Sequence, residues 1–263
     1  MSNEFTGSAL PLDADSVSKI LGKMSINANE LWAVLTVETR GCGFLPDRRP
    51  AILFERHIFH KLTNGKHDSV DPNISNATAG GYGAGGANQY LRLEQAMALD
   101  KEAALRSTSW GLGQIMGFNF ESAGYVSVDA MVKAMSESEG NQLDAMVGPM
   151  IKNGWVTALR AHDWSTFARG YNGPAFAKNK YDTRLSGAFQ KYAFGGLPDL
   201  DLRAAQVYLT YLGLEPGPVD GVMGRFTRSS LNAFQIQHGL PISDVVDDEL
   251  LRALNATVAN QLQ

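Results

Sequence analysis

Apolar residues recur along this chain at helical spacing, in blocks separated by glycine-rich or polar stretches. Residues 14–23 predict a short helix. A second helix carries Leu31, Val34, Leu35 and Glu38, an i, i+3, i+4, i+7 set that shares one face. Gly41 and Gly43 punctuate the chain just beyond, which places Glu38 in the last turn. Residues 41–50 form a turn-rich loop, residues 51–54 a short buried strand, and residues 55–57 run into a helical turn. The polar, glycine-rich stretch 63–88 predicts a long loop or a small sheet region. Helical periodicity resumes over residues 89–105, over 128–135 behind Ser127 or Asp129 as N-cap, and over 141–152. It returns over 163–171 with Asp163 as N-cap, and through Tyr181, Leu185, Ala188, Phe189 and Tyr192. Residues 195–198 (Gly-Gly-Leu-Pro) mark a boundary. Beyond them lie a helix with Leu202, Ala205, Gln206 and Leu209, a turn cluster over 213–224, and helices over 227–238 and 247–254. The pattern predicts a mainly α chain with a small β element: a main domain over residues 1–195 and a three-helix module over 199–263.

Charge sharpens that division. The net charge of −4 is not spread evenly. From Pro198 onward four arginines and no lysine face eight acids, so residues 1–197 are balanced and the tail is a distinct acidic unit. No basic stripe is present to displace counterions from phosphates, which argues against nucleic acid as a partner. The single cysteine, Cys42, excludes an internal disulfide and fits folding in a reducing cytosol. The first residues lack both a basic and an apolar segment, so no secretory signal is expected. The apolar run near Trp32 is far shorter than the ~20 residues a membrane span requires.

Glu38 carries the clearest chemical signal. Three apolar residues share its helix face, which draws its carboxyl toward the interior or a cleft wall, and desolvation there with the negative end of the helix dipole raises its pKa. Arg40 would oppose that shift if it pointed at the carboxylate. A glutamic acid kept protonated near neutral pH suits general-acid cleavage of a glycosidic bond; the alternative is an ordinary helix-terminal glutamate. Asp47 and Glu55 come next, and the loop between can turn either back toward Glu38 as a second carboxylate. Asp47 reads equally as a turn residue after Pro46, and Glu55 as the partner of Arg48, Arg49 or Arg56. Residues 81–86 match G-x-G-x-x-G without the preceding strand a dinucleotide site requires, so a flexible loop with Tyr82 at its crest, bordering a groove, is expected instead. His57, His60 and His67 lack metal-site spacing and read as structural or surface residues, so no metal or cofactor is expected. In residues 109–116, Ser109-Trp110-Gly111-Leu112-Gly113-Gln114-Ile115-Met116, the glycines allow close backbone approach, Trp110 offers an apolar face and Gln114 an amide for sugar hydroxyls. The alternative there is a glycine-rich turn into a helix. Tyr171-Asn172 ends a helix, where a capping role is the plain reading.

Together these segments resemble the lysozyme-like superfamily of goose-type lysozymes and soluble lytic transglycosylases. Residues 31–60 are more similar still to the N-acetylmuramidase-type catalytic domains of bacteriophage endolysins, and the resemblance covers about residues 20–193. It implies a lysozyme-like α+β fold with Glu38 as catalytic acid, the 109–116 segment and Tyr171-Asn172 on the substrate cleft, and Asp47 or Glu55 as a second carboxylate, which transglycosylases lack. The tail resembles the type 1 peptidoglycan-binding domain through residues 217–224 (Gly-Pro-Val-Asp-Gly-Val-Met-Gly), Thr227-Arg228, Ala233-Phe234-Gln235 and 238–241 (His-Gly-Leu-Pro). Within it, Asp220 reads as a structural turn residue. The implied protein is a monomeric wall-lytic enzyme that cleaves the β-1,4 link between N-acetylmuramic acid and N-acetylglucosamine. It would be made in the host cytoplasm, would act on the cell wall, and would depend on a holin for access. A lytic transglycosylase, a zinc-dependent wall peptidase or amidase on the same anchor, and a non-catalytic wall-binding protein are the competing expectations.

Overall fold

The computed structural model describes residues 3–39 and 41–261; Arg40, expected to oppose the Glu38 shift, lies outside them. Thirteen α-helices run among the described residues: α1 Ala14–Met24, α2 Ala28–Glu38, α3 Arg56–Leu62, α4 Asn88–Leu99, α5 Lys101–Arg106, α6 Val128–Glu137, α7 Glu139–Lys152, α8 Trp155–Arg160, α9 Trp164–Asn172, α10 Tyr181–Gly195, α11 Leu200–Tyr211, α12 Arg225–Gln237 and α13 Asp248–Asn260. Many begin where a short polar side chain accepts from an otherwise orphaned amide. Ser127 caps α6, Ser138 caps α7, Asp163 caps α9 and Asp247 caps α13.

Three short strands, β1 Ile52–Phe54, β2 Thr108–Trp110 and β3 Ile115–Met116, form one antiparallel sheet in the order β1-β2-β3. Leu53 stands opposite Ser109, and Ser109 opposite Met116. The small β element is therefore made by β1 with a hairpin over residues 108–116. The stretch 63–88, expected as a loop or small sheet region, holds no strand and gives way to α4 at Asn88, and the 109–116 segment, whose alternative reading was a turn into a helix, is this hairpin. Gly111 makes it, at φ +67 and with no room for a Cβ against Gln142. The helix expected over 89–105 is two, because Asp100 leaves the helical region (φ −159) and its carboxylate caps α5 through the Ala103 amide. α8 was not expected, and α13 runs on to Asn260.

Two apolar cores result. The larger joins α1 to α10 with the sheet; the smaller joins α11, α12 and α13 and takes in Ala9 and Phe44 from the N-terminal part of the chain. α2 runs through the larger core. Leu31, Trp32, Ala33, Val34, Leu35 and Val37 are all buried, so most of its circumference is covered, with α10 packed along it. A helix so enclosed brings its last residue, Glu38, to the site with little positional freedom.

Candidate active site

Glu38 closes α2, and Tyr171-Asn172 close α9. The two helix ends meet: Asn172 Nδ2 donates to Glu38 Oε2 at 2.8 Å. Burial pushes the Glu38 carboxyl above its ordinary range, partly offset by the Asn172 hydrogen bond and the positive charge of Arg184. Arg184, on α10, also donates to the Val37 carbonyl at 3.3 Å, at the negative end of α2. With Oε2 occupied by an amide, Oε1 is the oxygen left to carry the proton.

Glu38 Oε1, Tyr171 Oη and Asn172 Oδ1 are all buried without a hydrogen-bond partner among the described residues. Unpaired buried polar atoms are rare, because each forfeits its hydration. Here three sit on two adjacent residues and the carboxylate they face. Burial and the Glu38 charge push the Tyr171 hydroxyl pKa well up, so it stays a neutral donor. Its ring is fixed by Phe167, stacked at 5.8 Å, and edge-on by Trp155 at 6.1 Å. The site can therefore donate a proton from Glu38 and hydrogen bonds from Tyr171.

A second group forms beyond β1. Glu55 occupies the N-cap position of α3 without capping it. Its Oε1 accepts from the Tyr82 hydroxyl at 3.2 Å, and its Oε2 lies 3.1 Å from His57 Nδ1. Tyr82 is exposed on the glycine-rich loop. That loop is latched by Gln89, whose amide donates to the carbonyls of Tyr82 and Ala84 at 2.8 Å and accepts from the Phe54 amide. Asp47 is differently placed. Both its oxygens take bonds from Arg49, whose guanidinium lies 4.0 Å over the Tyr90 ring. Among the described residues no hydrogen bond or ion pair joins Glu38 to Asp47 or to Glu55.

The hairpin residues point inward. Ser109 Oγ donates to Gln114 Oε1 at 3.0 Å, and Gln114 Nε2 donates to the carbonyls of Ala51 and Gly111. Both ends of the Gln114 amide are thus spent inside the protein, in contrast to the sugar-binding amide expected from the sequence. Trp110 is fully buried and donates to the Leu105 carbonyl, so it offers no face to a ligand. Among the described residues no group of three His, Cys, Asp or Glu side chains is placed to hold a metal ion. His60 instead pairs with Asp68 at 2.8 Å, and Asp68 accepts from Ser75.

Sequence reasoning missed Glu139, Gln142 and Arg203. Gln142 Oε1 accepts from the Leu112 amide and its Nε2 donates to the Gly43 carbonyl, tying the hairpin to the loop after Glu38. A signal was present: Glu139, Gln142, Leu143 and Met146 repeat the i, i+3, i+4, i+7 pattern of Glu38.

Known proteins match this arrangement. Residues 27–193 match the family model for N-acetylmuramidase, and residues 199–254 match that for a putative peptidoglycan binding domain. The crystal structure of the Burkholderia AP3 phage endolysin is similar, at 40% identity over 70% of this chain and 71% of that one, with a TM-score of 0.65. No curated protein matches the chain.

Proposed function

This chain belongs to the N-acetylmuramidase family, and from that premise we propose that it is a phage-type endolysin in which Glu38 is the general acid. Its activity is that of a glycoside hydrolase on peptidoglycan. The observation that carries the assignment of the acid is the clustering of unpaired buried polar atoms around Glu38, whose carboxyl burial holds above its usual range.

In this reading Glu38 protonates the oxygen of the β-1,4 bond that leaves N-acetylmuramic acid. Tyr171 and Asn172 bind sugar hydroxyls or an N-acetyl carbonyl with the polar atoms they leave free. Glu55 is the better second carboxylate: its Oε2 is buried without a hydrogen-bond partner, with only the His57 ring beside it at 3.1 Å, whereas Arg49 already neutralises Asp47. Ser109 and Gln114 act one step back, holding the hairpin to the strand that leads into Glu55. Tyr82 borders the groove. The catalytic domain spans residues 1–195 and the wall-binding domain 199–263. The protein works as a monomer without metal or cofactor, is made in the host cytoplasm, and reaches the wall once a holin permeabilises the membrane; no described helix is long and apolar enough to cross one.

The test is digestion of purified murein by wild type and Glu38→Gln. The wild type is expected to release reducing muramic acid ends, seen by mass spectrometry, and the variant to lose at least about 10²-fold in rate, the usual general-acid contribution. An undiminished Glu38→Gln variant would remove Glu38 from the chemistry. Products ending in 1,6-anhydromuramic acid would assign a transglycosylase outcome, with no need for Glu55.

A further inference from the structure

The chain leaves α2 through Thr39, whose hydroxyl donates to the Leu35 carbonyl and accepts from the Gly41 amide. Gly41 and Gly43 are gripped from two sides. Glu139, fully buried at the start of α7, accepts from the Gly43 amide at 2.8 Å and from the Leu12 amide at 2.8 Å. Arg203 comes from α11, in the wall-binding module, and is equally buried. Its guanidinium donates to both oxygens of Glu139, at 2.5 and 2.9 Å, and to the Gly41 carbonyl at 2.5 Å. Gly41 also lies so close to the module that a Cβ on it would stand 3.1 Å from the Val219 carbonyl. Further along the same loop, buried Arg48 donates to the Val258 carbonyl of α13.

A solvated tether would need none of this. A charge pair taken wholly out of water repays its desolvation only when every lone pair and proton is matched, and here each carboxylate oxygen takes two donors. What the pair fixes is the backbone three to five residues beyond the catalytic carboxyl.

We propose that Arg203 is a positioning residue for the muramidase reaction, reaching from the wall-binding module to hold, with Glu139, the Gly41–Gly43 backbone that sets the place of Glu38. This rests on the reading of Glu38 as general acid. The wall-binding module is then a structural part of the catalytic site, and its contribution persists on substrates that need no anchoring.

The test uses the full chain on soluble, uncrosslinked glycan strands. Glu139→Leu with Arg203→Met removes both charges together and leaves neither buried alone. Its kcat is expected to fall about 10- to 100-fold with KM nearly unchanged, the scale of loss that an ångström of misplacement causes. The alkaline fall of kcat should move with it, as the surroundings of Glu38 relax, while sedimentation with whole sacculi stays at the wild-type level. Arg203→Lys keeps the charge opposite Glu139 but loses the guanidinium fork that also reaches Gly41; about 3- to 10-fold in kcat is expected, and this variant decides the matter if the double variant does not fold. Folded variants with wild-type kcat and pH profile on soluble strands would overturn the proposal. So would a defect confined to sacculi. Loss of activity in the variants while Glu38→Gln stays active would instead overturn the assignment of Glu38.

Discussion

Three carboxylates of this chain share one sequence signature: Glu30, Glu38 and Glu139 each begin or end an i, i+3, i+4, i+7 set whose other members are mostly apolar. All three side chains turn inward, but among the described residues Glu38 is hydrogen-bonded by the neutral Asn172 amide alone, whereas the other two each meet a basic side chain. Glu139 is met by Arg203 and two backbone amides, and Glu30 by His162 Nε2 at 2.8 Å. The sequence therefore announces buried carboxylates without saying which one is paired, because the partners come from residues 64 and 132 positions away. The cost of burying Glu38 has a measurable sign. Its folded pKa lies above the unfolded value, so the native state retains a proton that the unfolded chain has lost. Stability from this group is full below the unfolded pKa, about 4.3, and is lost as pH rises through the folded one. Gln has no such loss. Glu38→Gln is expected to melt close to wild type near pH 4 and above it near pH 7, the gap widening with pH in thermal scans; a gap that stays flat would mean that burial does not perturb the carboxyl.

At the scale of elements, the helices were legible because their caps and periodicities are local. Asp163 caps α9 as expected, and α2 ends at Glu38 as its glycines require. What escaped was non-local. β2 and β3 are three and two residues long, too short for alternation to show, and they exist because Ser109 faces Leu53 across 56 residues of chain. Gln114, offered as an amide for sugar hydroxyls, looked free beside its glycines because the partners that spend it lie in that hairpin and in the chain before β1. Gln114 sits at φ +49 with its amide bridging the Ala51 and Gly111 carbonyls, so it links β1 to the hairpin turn. Gln114→Ala removes one of two hydrogen bonds from each of the Ala51 and Gly111 carbonyls, which keep their backbone donors, and is expected to cost about 1–3 kcal/mol of stability for the two bonds while leaving KM for glycan unchanged. Denaturant melts together with steady-state kinetics separate the cases: raised KM at unchanged stability would return Gln114 to the sugar.

Across the whole molecule, the acidic tail and the balanced main domain suggested two units joined at residues 195–198. The contacts across that seam could not be read from either side alone. Ala9 and Phe44 are buried in the tail's own core, Tyr211 donates to the Ala9 carbonyl at 2.9 Å, and Glu139 meets Arg203. Between the two parts lies a cavity of about 280 Å³, bounded by Trp32, Thr36 and Tyr192 on one side and by Pro218 and Val219 on the other. Cohesion of this kind governs how the protein comes apart. Domains on a flexible linker unfold in separate transitions, whereas parts that share a buried ion pair and a mixed core lose each other's support together. The full chain is expected to give one calorimetric transition with equal calorimetric and van't Hoff enthalpies. Arg203→Ala leaves Glu139 charged and alone inside, at a cost of about 3–5 kcal/mol, and is expected to lower that transition or split it in two. Two transitions in the wild type would show the seam to be a hinge, and the wall-binding module would then present the substrate without shaping the site that cuts it.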